Sequence, residues 1–264
     1  MLIILLAACG KSEKPATQIA AVPPIEAVSA PPAVSMLATK PSKKTEASPA
    51  LPGVVVAPAR PSPKVPKYFG FDDESAEAIK LRSGSGDPVA GKDKSELCQG
   101  CHGEDGNNVE ANIPKLAGQY AQYIAKQLRN YQSGKRTHAI MSAMASTIDD
   151  NDLADIAAYF ASQKKMRGNG SANSQAGENL FVNGDMSRGV IACINCHGVD
   201  GKGKTSSNAV FPVIGGQHKN YLLNELTHFR NGKRSNSQGG IMNQITQSLS
   251  DAEIAVLAQY ISGL

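Results

Sequence analysis

The sequence predicts an all-α protein with two small helical modules in tandem, preceded by a disordered linker. Three observations carry this reading. The last two thirds of the chain contain the same landmarks twice in the same order. Within each copy, apolar residues recur at helical spacing between helix-capping residues, and no segment alternates as a half-buried strand would. Finally, 12 of the 15 prolines lie in residues 1–66, leaving only Pro88, Pro114 and Pro212.

The elements follow in chain order. Residues 1–9 open with an apolar run ending "LAAC", too short to span a bilayer. "LAAC" resembles a bacterial lipoprotein lipobox, in which Cys9 would become lipid-modified and anchor the chain to a membrane. The absence of Lys or Arg before the run departs from that pattern. Residues 10–85 read as a disordered Pro/Ala/Lys-rich linker, with a short helix expected near 72–82. Residues 1–67 hold eight Lys/Arg and three Asp/Glu, so the overall charge of +4 belongs to the linker. A basic tether suits an anionic membrane surface or simply keeps the linker solvated. No basic stripe or nucleic-acid motif runs through the modules, which excludes a nucleic-acid partner.

The modules are expected at 86–168 and 169–264. "IPKLAGQ" at 113–119 answers "FPVIGGQ" at 211–217, and "YIAKQLRNYQSGKR" at 123–136 answers "YLLNELTHFRNGKR" at 221–234. Asp87-Pro88 reads as an N-cap followed by proline in the first turn. Tyr120, Tyr123, Ile124, Gln127, Leu128 and Tyr131 form a stripe stopped by Gly134; Leu222, Leu226 and Phe229 repeat it before Gly232. Ser250-x-x-Glu253 is a capping-box pattern opening the last helix. With no Trp and 5% aromatic residues, two such modules have thin cores unless something else supplies apolar mass.

Each module carries Cys-x-x-Cys-His: Cys98, Cys101 and His102, then Cys193, Cys196 and His197. Zinc would need two more ligands near each pair, and a thioredoxin-like dithiol would need an α/β setting. Cys-x-x-Cys-His is the attachment motif of c-type haem. Thiols one helical turn apart reach two neighbouring vinyl groups, and the next residue presents its imidazole to the iron. Two covalently attached haem c groups would also supply the missing apolar mass. Haem of this type is attached outside the bacterial inner membrane, which fits an exported, periplasmic-side protein.

The sixth iron ligand separates a carrier from an enzyme. His138, Met141 and Met144 are candidates in the first module. Met141 pairs with Met242 in the repeat, whereas His138 pairs with Gly239 and Met144 with Ile245. The shared position gives Met141 and Met242 as axial ligands beside His102 and His197. A filled iron favours one-electron transfer over peroxidase-like catalysis or a small-molecule substrate. Pro114 and Pro212 are shared too. In c-type cytochromes a proline carbonyl here accepts the axial histidine's N–H, which orients the ring. Arg136, Arg234, Gln119 and Gln217 are shared polar residues, read as contacts to haem propionates or as solvated surface.

The stretches "CQGCHGEDG", "GKRTHAIM" and "LADIAAYFASQ", with "CINCHG", "GKRSNSQGGIM" and "IAVLAQYISGL", resemble the cytochrome c4 family over residues 86–264. The resemblance implies two class I cytochrome c domains. It also implies electron delivery from a quinol-oxidising complex to a terminal oxidase. The alternative is a dedicated electron-transfer subunit of an oxidase, dehydrogenase or sulfur-compound enzyme.

Overall fold

The computed structural model describes residues 75–171, 173–203 and 211–264. Cys9 and the rest of residues 1–74, where the linker is expected, lie outside the described residues. The first module comprises α1 Ala76–Ser83, α2 Pro88–Lys94, α3 Glu96–His102, α4 Ala121–Gln132, α5 Ala139–Ala145 and α6 Asp150–Ser162. The second comprises α7 Gln175–Asn183, α8 Ile194–His197, α9 Lys219–Arg230, α10 Ile241–Gln247 and α11 Asp251–Gly263. Short 3₁₀ turns at Met186–Arg188 and Gln238–Gly240 precede α8 and α10. Among the described residues there is no strand, only an isolated bridge between Asp185 and Val190. No helix among them is long and apolar enough to cross a membrane.

The expected caps form. Asp87 accepts from the amides of Val89 and Ala90, with Pro88 in the first turn. Ser250 and Glu253 close both halves of a capping box at the start of α11. Asp149 caps α6 through the amides of Asn151 and Asp152.

The short helix expected near 72–82 is α1, which starts at Ala76 and packs against α6 of the first module. Arg82, 2% exposed, is the reason. Its Nε donates to the Ala161 carbonyl at 2.6 Å and its Nη2 to the Gln163 carbonyl at 3.0 Å. These carbonyls end α6, where the helix leaves acceptors open for a cation to satisfy.

The stripe on α4 splits between two destinations. Ile124, Leu128 and Tyr131 join Leu153, Ile156 and Phe160 in the first module's core. Tyr120 joins Met166 and Val213 in a cluster at the boundary between modules, with Tyr123 packed against it. Spacings of three and four place these residues on adjacent faces, both covered. The second module's core gathers Phe181, Leu222, Leu249, Ile254, Leu257 and Ile261. The connector between the modules is pinned. The amide of Met166 donates to the Ala117 carbonyl at 3.1 Å and that of Gly168 to the Leu264 carbonyl at 2.7 Å.

Two glycines with no distinguishing pattern in the sequence set the closest helix crossings. A Cβ on Gly91 of α2 would lie 2.0 Å from the Asp155 carbonyl oxygen of α6 and 3.0 Å from the Tyr159 Cβ. A Cβ on Gly177 of α7 would lie 2.2 Å from the Val256 carbonyl oxygen of α11 and 2.9 Å from the Tyr260 Cβ. Alanine would raise helix propensity by about 1 kcal/mol, but here it meets backbone that cannot yield. Gly91→Ala is therefore expected to destabilise the first module by about 3 kcal/mol through overpacking. Thermal melts of the haem-loaded protein check this, and an unchanged or raised midpoint contradicts it.

Candidate haem sites

Both Cys-x-x-Cys-His motifs lie on helices that end at their histidines. α3 carries Cys98, Cys101 and His102; Cys193 precedes α8, which carries Cys196 and His197. Each helix stops because the next residue turns left-handed. Gly103 has φ 85° and Gly198 has φ 81°, a region that glycine enters without steric cost. None of the four motif cysteines is paired in a disulfide, so each thiol is available for a thioether. Burial raises the Cys98 thiol's pKa and pushes that of Cys193 up to about 12.

The two histidines are buried and held identically. His102 Nδ1 lies 2.8 Å from the Pro114 carbonyl, and His197 Nδ1 lies 2.9 Å from that of Pro212. Asn108 Nδ2 also donates to the Pro114 carbonyl, at 3.1 Å. Burial lowers both imidazole pKa values, outweighing the upward pull of the proline carbonyls, so the rings stay neutral. A neutral ring with its Nδ1–H given to a carbonyl presents Nε2 as a metal ligand with a fixed tautomer. The Phe211 ring sits edge-on to His197, with centroids 6.5 Å apart. Soft thiols flanking an oriented imidazole, twice over, are a donor set that fits covalent haem and fits zinc poorly. Among the described residues no cluster of His, Cys, Asp and Glu is arranged to hold a metal ion by itself.

Met141 lies in the first turn of α5 and packs against the first module's core, as does Cys98. Met242 holds the matching place on α10 and is half-buried. His138 serves another purpose: it is the N-cap of α5, its Nδ1 accepting from the Met141 amide at 3.3 Å. In the second module Ser237 Oγ accepts from the Met242 amide at 3.2 Å.

Arg136, Arg234, Gln119 and Gln217 are all buried, which corrects the solvated-surface alternative. The two arginines meet between the modules in an arrangement that the repeat makes nearly symmetric. Arg136 Nη2 donates to Tyr221 Oη at 3.1 Å, and Arg234 Nη2 donates to Tyr123 Oη at 2.9 Å. Gln127 Oε1 accepts from Arg136 Nη1 at 2.9 Å and from Arg234 Nη2 at 3.2 Å. Glu225, the counterpart of Gln127, lies 2.6 Å from Arg234 Nη1 and 3.1 Å from Arg136 Nη2. Burial pushes its carboxyl pKa up, but the two guanidinium groups outweigh that and hold it below the ordinary glutamate value. Two arginines and one glutamate leave a net positive cluster, and Gln127 Nε2 is buried there without a hydrogen-bond partner. Such donors suit a carboxylate-bearing group such as a haem edge. Gln119 and Gln217 are committed instead to backbone groups across the boundary. His218, the N-cap residue of α9, is half-buried and its Nε2 lies 3.0 Å from the Asn108 carbonyl across the boundary.

Known proteins share this geometry. The family model for cytochrome c matches residues 89–164 and 174–264, one match per module. Cytochrome c4 of Pseudomonas aeruginosa is 45% identical over 186 residues, covering 70% of this chain and 92% of that protein. The solved structure of reduced recombinant cytochrome c4 from Pseudomonas stutzeri superposes with a TM-score of 0.64 at 40% identity, covering 68% of this chain and all of that one. The thiosulfate dehydrogenase electron acceptor of Thiomonas intermedia is 32% identical, covering 66% of this chain and 81% of that protein. Two tandem helical modules with paired attachment motifs and these relatives lead to one conclusion: the chain belongs to the cytochrome c4 family, electron-transfer proteins rather than enzymes, and carries two covalently attached haem c groups.

Proposed function

We propose that Cys98 and Cys101 hold one haem and Cys193 and Cys196 the other, with His102 and Met141, then His197 and Met242, as axial ligands. The observation that carries this is the doubled unit of two thiols and one imidazole whose Nδ1 is fixed by a proline carbonyl. Bound haem supplies reversible one-electron chemistry. The chain's part would be to fix ring orientation through Pro114 and Pro212, to keep the imidazoles neutral, and to offer the Met141 and Met242 thioethers as second protein ligands. His/Met ligation raises the potential relative to bis-histidine and leaves no site for oxygen or peroxide. The Cys98→Ala/Cys101→Ala variant is expected to drop covalent haem from two per chain to one, measured by pyridine haemochrome assay on purified protein. Retention of two haems would refute the assignment.

In this reading the protein works on the periplasmic side, anchored through Cys9. It takes electrons from a quinol-oxidising complex and passes them to a terminal oxidase. A second reading is favoured by the thiosulfate dehydrogenase electron acceptor among its relatives: service to a single dehydrogenase of sulfur compounds. Reduction rates with membranes supplied with quinol, against rates with a thiosulfate dehydrogenase, decide between them. Rapid quinol-dependent reduction with oxidase-dependent reoxidation supports the first; slow turnover there with fast reduction by the dehydrogenase overturns it.

A further inference from the structure

We propose that Gln119 and Gln217 are positioning residues that act across the module boundary, each bracing the backbone that orients the other module's axial histidine. The wiring is crossed and reciprocal. Gln217 of the second module donates from Nε2 to the Lys115 carbonyl at 2.9 Å and accepts at Oε1 from the Lys115 amide at 2.9 Å. Lys115 directly follows Pro114, whose carbonyl holds His102. Gln119 of the first module donates from Nε2 to the Val213 carbonyl at 2.8 Å and accepts at Oε1 from the Val213 amide at 2.9 Å. Val213 directly follows Pro212, whose carbonyl holds His197.

Both glutamines are 5% exposed, so water does not compete for these bonds. Only a primary amide offers a donor and an acceptor side by side, and both are needed to grip one residue's N–H and C=O together. Each Oε1 also accepts from an amide of its own module, Tyr120 N at 3.1 Å for Gln119 and His218 N at 2.9 Å for Gln217. Those residues immediately precede α4 and α9. Each brace therefore ties the start of a helix in one module to the carbonyl beneath the imidazole in the other. Lys115 Nζ adds a bond across the boundary to the Gly216 carbonyl at 2.9 Å.

The consequence follows from how an axial histidine is tuned. Its Nδ1–H···O bond raises imidazole basicity, and groups one shell further out control that bond. Loss of a brace lets the proline segment relax and weakens the bond. A less basic imidazole stabilises oxidised iron less, so the potential rises. The shift falls on the haem of the opposite module, which mere proximity to the substituted helix would not produce.

The inference rests on His102 and His197 being ligands, and the test separates the two claims. Gln217→Ala in the full dihaem protein is expected to raise the reduction equilibrium of the first-module haem by about threefold to tenfold, tenfold being 59 mV for a one-electron couple. The second-module haem is expected to stay as in the parent protein. Gln119→Ala is expected to do the converse. Redox titration with proton NMR of partly reduced samples assigns each step to a haem and follows the axial Nδ1–H resonance. Gln217→Met keeps the side chain's bulk without its hydrogen bonds and reads the same quantity where alanine fails to fold. A shift confined to the substituted module, equal shifts in both haems, or no shift in folded variants overturns the proposal. If His102 is not a ligand, His102→Ala leaves the first haem's spectrum intact. If only the bracing idea fails, His102→Ala still abolishes that spectrum.

Discussion

Met242→Ala is expected to change one of the two haems from low-spin to high-spin and to lower its potential by more than 59 mV, a factor above ten for one electron. The expectation rests on the repeat and on helix α10. Met242 sits at the position that Met141 occupies on α5, each in the first turn with a side-chain acceptor on its amide. A thioether favours reduced iron, so its loss favours the oxidised state. Met141→Ala is expected to do the same to the other haem. Met144→Ala is the control. Its counterpart is Ile245, which cannot ligate, so its removal should leave both spectra unchanged apart from a small stability loss. Magnetic circular dichroism and carbon monoxide binding to the reduced protein read the result. Met242→Ala should bind carbon monoxide at one haem per chain, and the parent protein at neither. Low-spin spectra and parent potentials in both methionine variants would remove the axial assignment.

The sequence discloses what depends on local spacing. Two thiols, a histidine and a following glycine form one helical turn and its stop, so spacing alone places the motif-bearing turns of α3 and α8. The caps at Asp87 and Ser250 are legible for the same reason. Met141 stands out among the candidates because the second copy has Gly239 and Ile245 where the first has His138 and Met144. What lies between the modules is not legible, because it depends on which faces meet. Tyr123 and Gln127 on α4, with Tyr221 and Glu225 on α9, look like parts of amphipathic stripes. The fold turns them into a buried polar cluster. Gly91 and Gly177 stay hidden for another reason. The second module inserts the turn around Asp185–Val190 between its first helix and its cysteines. The glycines therefore fall 86 positions apart, 177 − 91, while the first cysteines fall 95 apart, 193 − 98. α1 does not read as part of the module because a short helix after a Pro-rich segment gives no sign that Arg82 will be buried.

Glu225→Gln is expected to cost up to about 3 kcal/mol at neutral pH, the lower end of what removing one partner from a buried ion pair costs, because the Glu225 side chain is 16% exposed. Glu225 is the cluster's only carboxylate among the described residues, and without it Arg136 and Arg234 face each other in a low-dielectric setting with only neutral acceptors. The pH dependence gives the prediction its sign. Arg136 and Arg234 hold the folded-state carboxyl below its ordinary value even though burial opposes them. A carboxyl lowered on folding contributes stability that is complete above its unfolded value of about 4.3 and is lost as pH falls through the folded value. The parent protein should therefore lose stability on acidification, and Glu225→Gln should lose much less. Guanidinium unfolding curves at pH 7 and at pH 3 measure the difference, which should be large at the first and shrink at the second. Gln127→Glu supplies the complementary arm. It places a second carboxylate against the same two arginines, neutralises the cluster, and is expected to restore part of the loss in the Glu225→Gln background. An equal deficit at both pH values would mean that packing, and not the ion pair, holds the two modules together at Glu225.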